Sequence, residues 1–268
     1  MKQILLRFLI NYIIPIIGRL VNHKNKYCNI IYYHDIVRDK GYSYMYMPIH
    51  QFKEQMLWLV KNKFETLRFD DFNDKENLKY KKKRVLIAFD DGWLSNYTEI
   101  FEFMKQHNLK YNIFLTMGEI GKNKDYLTWD MVKEMHNSGI VGFGAHTFTH
   151  PSMNDIDTID CDLEISQANE LFKLNLGFSP LDFCYPFGDY SEKTNKYMTE
   201  NTNYSRIYTS KHIYSYKVLD RIIFGRNGIS VDSDMSFFRK IVKGYNNCAF
   251  HILETLLNIR SMFRRIYK

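Results

Sequence analysis

Cysteine is scarce and scattered: the chain of 268 residues holds four, Cys28, Cys161, Cys184 and Cys248. No C-x-x-C pair occurs among them, so neither a disulfide scaffold nor a thiolate zinc site is indicated, and the redox compartment stays open. A long apolar run is also missing. Ile4 to Ile17 is mostly apolar, but Arg7 and Asn11 interrupt it and Pro15 sits near its end, which leaves it short of the roughly 20 residues of a membrane-spanning helix. Lys2 and Arg7 suggest a secretory signal, yet Gly18-Arg-Leu-Val-Asn22 offers no small-x-small cleavage site. Residues 1–25 are therefore expected to form an uncleaved anchor or an interfacial helix, with a buried N-terminal helix as the alternative. Internal repeats, low-complexity tracts and interdomain linkers are absent, which favours one domain, residues 26–243, with short terminal appendages.

What is present supports a folded globular protein. Apolar residues make up 45% and aromatics 16%, enough for a sizeable core in one α/β domain. The formal charge of +7 favours anionic surroundings, either phospholipid headgroups, nucleic acid or an acidic glycan. Near the C-terminus, Ile252, Leu256, Ile259, Phe263 and Ile266 share one helical face while Arg260, Arg264, Arg265 and Lys268 crowd the last turns. Residues 244–268 thus read as a basic amphipathic helix, which either lies on an anionic membrane or docks on the domain. The lysine run from Lys79 to Arg84 reads as a solvated loop, with a substrate-steering patch as the second reading.

Periodicity alternates regularly through the middle. Val85 to Phe89 predicts a buried strand, Tyr97 to His107 a helix, Tyr111 to Met117 a strand, and Trp129 to Asn137 a helix closed by Gly139. Ile140 to Ala145 comes next as a strand and Ile159 to Leu174 as a longer helix ending near Gly177. Asp182 to Tyr185 and Arg206 to Thr209 then read as strands flanking a helix after Tyr190. This order implies a parallel sheet, and closing it into a distorted (β/α) barrel would gather Asp90, His146 and Tyr185 at the C-terminal strand ends.

Those residues carry the chemistry. Two adjacent carboxylates, Asp90 and Asp91, leaving a buried strand are costly without a compensating cation. His146 and His150 are four apart, so one helical turn would put both on one side, with Gly142 and Gly144 allowing a sharp entry. Two imidazoles and a carboxylate hold one divalent cation and leave room for water and substrate. Trp93, Trp129 and Tyr190 are candidates for a sugar-binding groove, though aromatics are more often core.

The chain resembles the polysaccharide deacetylase family, the carbohydrate esterases that share the NodB homology domain. Its Ala88-Phe89-Asp90-Asp91-Gly92 is similar to the family's T-F-D-D-G, and His146-Thr147-Phe148-Thr149-His150 to its H-S/T-x-x-H. Phe183-Cys184-Tyr185-Pro186-Phe187-Gly188 stands for the third motif, without the basic residue that many members carry just upstream. The family's late leucine-rich strand ending in histidine is missing, and Ile30-Ile-Tyr-Tyr-His34 has that character instead. This resembles the circularly permuted poly-N-acetylglucosamine deacetylases.

The resemblance implies roles. Asp91, His146 and His150 would bind one divalent metal ion, zinc first, with cobalt, nickel, manganese or iron also admitted by such ligands. Asp90 would be the general base, His34 the acid, the Tyr185 backbone N–H an oxyanion donor, and Arg226 an orienting residue for Asp90. The implied activity is removal of N-acetyl groups from an N-acetylated polysaccharide or lipid-linked glycan, by a membrane-associated protein of the bacterial cell envelope with no nucleic-acid partner. Two other readings stay open, an O-acetyl esterase or other non-peptide amide hydrolase on the same fold, and a non-catalytic glycan-binding protein.

Overall fold

A computed structural model describes residues 27–244 apart from 39–42, 44, 80, 82 and 211–214. The expected terminal segments 1–25 and 244–268 therefore lie outside the described residues, Gly244 excepted.

Runs rich in β-branched, aliphatic and aromatic residues make the central strands, as expected of strands buried on both faces. They are β1 (Asn29–Tyr33), β5 (Arg84–Phe89), β6 (Tyr111–Leu115), β7 (Val141–Ala145), β8 (Asp182–Cys184) and β9 (Arg206–Thr209). Shorter strands complete the set: β2 (Asp35–Val37), β3 (Tyr46–Pro48), β4 (Glu65–Leu67), β10 (Tyr216–Val218), β11 (Arg221–Gly225) and β12 (Asn227–Gly228). Apart from the separate β2–β3 pair, all belong to one sheet, ordered β10-β11-β9-β8-β7-β6-β5-β1-β12, with β4 beside β5.

That order closes on itself. Only Arg226 separates β11 from β12, and β11 pairs with β9 while β12 pairs with β1, both in parallel. One stretch of chain thus joins the two ends of the row into the expected barrel, distorted because its last strand splits its pairing between two neighbours. Phe69 and Phe72, on the short helix Phe69–Asn73 after β4, are buried with Leu86, Phe114, Tyr208 and Phe224 in a cluster of their own. Phe72 stacks on Phe224 with ring centroids 5.8 Å apart. The helices, among them Ile49–Lys61, Trp129–Asn137 and Met235–Val242, pack on the outside against Ile31, Ile87, Ile113 and Val141.

The predicted helix over Tyr97 to His107 is two helices, Ser95–Thr98 and Phe101–Gln106. Ile100, buried in the core, leaves the helical region at φ −124° and breaks the run. The long helix spans Thr158–Leu176, with the Asp157 carboxylate accepting from the N–H groups of Ile159 and Asp160 and Gly177 ending it at φ 81°.

Candidate metal centre

The barrel strands run parallel, so the residues just past the C-terminal end of each strand emerge at the same pole. His34 comes after β1, Asp90 and Asp91 after β5, His146 after β7 and Tyr185 after β8, while Arg226 links β11 to β12. Asp91 takes φ 74° and Gly92 φ 88°, a sharp turn that sends the two neighbouring carboxylates to different partners. Only glycine fits the second position: a Cβ there would stand 2.9 Å from Leu115 Cδ2.

Asp91 faces the histidines. Its Oδ1 lies 3.5 Å from His146 Nε2 and 3.3 Å from His150 Nε2, and the two Nε2 atoms are 3.2 Å apart. Nitrogen and oxygen ligands at about 2.0–2.2 Å from a tetrahedral cation stand roughly 3.3–3.6 Å from one another, so this triangle has the size of a metal-binding face. The tautomer agrees. His146 Nδ1 donates to the Cys184 carbonyl oxygen at 2.7 Å, which leaves Nε2 with its lone pair toward the triangle. Burial alone would raise the Asp91 pKa, but the neighbouring His146 and His150 imidazoles hold the carboxyl well below the ordinary carboxylate range. Asp90, His146 and Cys184 also come close, but both Asp90 oxygens are engaged elsewhere and burial raises the Cys184 thiol pKa, so that grouping offers no thiolate ligand.

Asp90 faces Arg226. The guanidinium donates to both carboxylate oxygens, Nη1 to Oδ1 at 2.7 Å and Nη2 to Oδ2 at 2.8 Å, and packs over the Tyr32 ring at 4.2 Å. Burial would raise the Asp90 pKa, yet Arg226 reverses this and the net displacement is downward. His34 Nε2 stands 4.0 Å from Asp90 Oδ2, and burial lowers the His34 pKa with Asp90 opposing.

The approach of His150 differs from the expected helical turn. Residues 146–150 form an irregular loop in which Thr147 (φ 64°) and His150 (φ 63°) are left-handed. Glu164, on the helix Thr158–Leu176, fastens this loop by accepting from the Phe148 and Thr149 N–H groups, both at 2.8 Å, and from the Thr149 hydroxyl at 2.6 Å. Gly142 and Gly144 sit within β7 and do not bend it. They make room: a Cβ on Gly142 would meet Asn112 Oδ1 at 2.4 Å, and one on Gly144 would meet Phe114 Cδ1 at 2.7 Å.

Tyr185 is a second correction. Its backbone N–H donates to the Tyr208 carbonyl at 3.0 Å as β8 pairs with β9, so it is not available to an oxyanion, and its hydroxyl donates to Asn195 Oδ1 at 3.0 Å. Two residues on, Phe187 sits at φ 56° with an exposed ring edge-on to His150 at 4.7 Å, and its N–H enters no hydrogen bond among the described residues.

Trp93 has a different task from the groove role considered for it. Its indole N–H donates to Asp91 Oδ2 at 2.9 Å, and its ring stacks on Tyr126 with centroids 4.6 Å apart. Of the other two groove candidates, Trp129 packs against the main core and the ring of Tyr190 lies 4.6 Å from that of Tyr185. Glu164 and Phe187 gave no signal in the sequence, because their roles depend on loop geometry.

Comparison with known proteins agrees with this geometry. The polysaccharide deacetylase family model matches residues 77–205. YxkH of Bacillus subtilis (strain 168), whose name assigns it to that family, is 32% identical over 177 residues, 65% of this chain and 61% of its own length. A peptidoglycan-N-acetylglucosamine deacetylase of Bacillus cereus is 31% identical over 122 residues, 45% of this chain and 42% of its own. A poly-beta-1,6-N-acetyl-D-glucosamine N-deacetylase of Staphylococcus epidermidis is 25% identical over 175 residues, 60% of each chain. The chain thus spans less than two thirds of the length of these relatives. Among solved structures, the Streptococcus pyogenes deacetylase PplD shares the fold with TM-score 0.71 at 19% identity, covering 81% of this chain and 98% of that one. IcaB from Ammonifex degensii does so with TM-score 0.67 at 20% identity, covering 82% and 97%.

Proposed function

We propose that the chain is a polysaccharide deacetylase, as the family match over residues 77–205 and the likeness to YxkH support, and that it is a metal-dependent hydrolase that removes N-acetyl groups from a glucosamine-containing polymer or its lipid-linked precursor at the bacterial cell envelope. One observation carries this reading: the ligand triangle of Asp91, His146 and His150 lies beside a second carboxylate, Asp90, that has its own cationic partner. Relatives named for peptidoglycan N-acetylglucosamine and poly-beta-1,6-N-acetyl-D-glucosamine support the substrate class.

Asp91, His146 and His150 would hold a divalent cation, zinc by its fit to this ligand set, which would supply Lewis-acid polarisation of the acetyl carbonyl and a lowered pKa for water. The protein supplies the rest. Asp90, kept ionised by Arg226, accepts the proton of the attacking water. The Phe187 N–H, uncommitted beside His150, donates to the developing oxyanion in the place first considered for Tyr185. His34 gives a proton to the departing amine, which leaves poorly without one, and its burial makes that proton easy to release.

Acetate release from N-acetylglucosamine oligomers and from an O-acetylated xylan tests the reading, with protein stripped of metal by a chelator and then reloaded with zinc. The expected result is zinc-dependent release from the N-acetylated substrate. Undiminished release after stripping would overturn the mechanism, and release from the O-acetylated substrate alone would overturn the bond assignment.

A further inference from the structure

We propose that the pole of the barrel opposite the metal centre docks on an anionic lipid surface, so that the catalytic mouth faces away from the bilayer. The barrel strands are parallel and the metal-ligating residues lie past their C-terminal ends, so their N-terminal ends form the far pole. The described chain enters and leaves there side by side. The Asn29 side chain, at the start of β1, donates to the Ile241 carbonyl at 2.7 Å, near the end of the helix Met235–Val242. The sequence joined to that corner is apolar from Ile4 to Ile17 on one side and carries Arg260, Arg264, Arg265 and Lys268 on the other.

The same corner carries exposed cations. Lys61 ends the helix Ile49–Lys61 and Lys63 follows it, and the N–H of the nearby Glu65 donates to the Lys83 carbonyl at 2.8 Å. The Arg84 N–H donates to the Lys81 carbonyl at 3.2 Å, while Arg239 and Lys243 lie over the Trp58 ring at 5.6 and 5.7 Å, one turn before Lys61. Four acids of this pole are matched by other cations, Glu65 with Arg84, Glu76 with Lys79, Asp70 with Arg68 and Asp71 with Lys110, while Asp74 caps the short helix Lys75–Leu78. Lys61, Lys63, Lys81 and Lys83 form no ion pair among the described residues, so their charge is in excess. Exposed lysines at a pole where the chain continues into an apolar sequence suit lipid headgroups better than a nucleic-acid groove, since apolar residues gain nothing from a phosphate backbone.

Cosedimentation of the full chain with phosphatidylcholine vesicles, with and without phosphatidylglycerol, tests the proposal. Binding is expected to require phosphatidylglycerol and to weaken in high salt. The variant Lys61→Gln/Lys63→Gln/Lys81→Gln/Lys83→Gln should partition roughly several hundredfold less, at about fivefold per cation, while zinc affinity and circular dichroism stay unchanged. A control variant on the mouth side, Lys124→Gln/Lys193→Gln, should bind like the parent chain. Equal partition of the quadruple variant and the parent would overturn the proposal, as would equal loss in both variants or binding to duplex DNA in preference to vesicles. Partition is measured without catalysis, so failure here leaves the hydrolase reading standing.

Discussion

Asp90 and Asp91 are adjacent in the chain, yet one is held by a guanidinium and the other by two imidazoles and an indole. Removing Arg226 tests the first arrangement. With the guanidinium in place the folded pKa of Asp90 is depressed, so its stabilising contribution is present above the ordinary carboxylate range and is lost as pH falls through the depressed value. In Arg226→Lys the bidentate fork is gone while the burial remains, so the Asp90 pKa should rise. The acid limb of the kcat/KM profile for acetate release is then expected to move to higher pH; an unmoved limb would exclude Asp90 as the titrating base. Trp93 belongs to the second arrangement. A residue that orients a metal ligand typically contributes 10–100-fold in affinity, so Trp93→Phe should weaken zinc binding by about that factor in calorimetric titration without changing circular dichroism. At this scale the sequence is informative where residue type dictates chemistry. His34, Asp90, Asp91, His146, His150 and Arg226 are all legible in it, and the fold brings them to one pole. Tyr185 and Phe187 show why the rest was hidden: both are aromatic residues in the third motif, and only the pairing of β8 with β9 decides which N–H is already used.

Among the elements, the strands of the β/α alternation were legible because their apolar runs are long and buried on both faces. The closing run through β11 and β12 was not, since each half is short and the pairing changes partner at Arg226. The glycines of β7 were visible, but their purpose was not, because a close approach by a neighbouring strand leaves no local mark. Gly144→Ala would bring a Cβ to 2.7 Å from the Phe114 ring and 2.9 Å from the Asp182 carbonyl oxygen. Overpacking of that kind costs about 1–3 kcal/mol, so the urea midpoint should fall at unchanged slope. Ala at Gly139, at φ 76° with nothing within 4 Å, meets no such clash and should cost only the left-handed strain, about 1–2 kcal/mol.

For the whole molecule, the parallel barrel separates two kinds of surface. One pole gathers the carboxylates, imidazoles and Arg226 of the proposed reaction, and the other gathers both ends of the described chain among exposed lysines. Periodicity indicated a parallel α/β sheet, the family resemblance a barrel, and composition a basic, partly apolar periphery, but which pole carries what needed the three-dimensional arrangement. The proposed mechanism rests on a division of labour in which Asp91 with two histidines holds the cation while Asp90 moves the proton. Acetate release by zinc-loaded Asp90→Asn from an N-acetylglucosamine oligomer probes that division without disturbing the ligands. A fall of about 10²–10⁴-fold is expected with zinc still bound at parental affinity; a parental rate would contradict it.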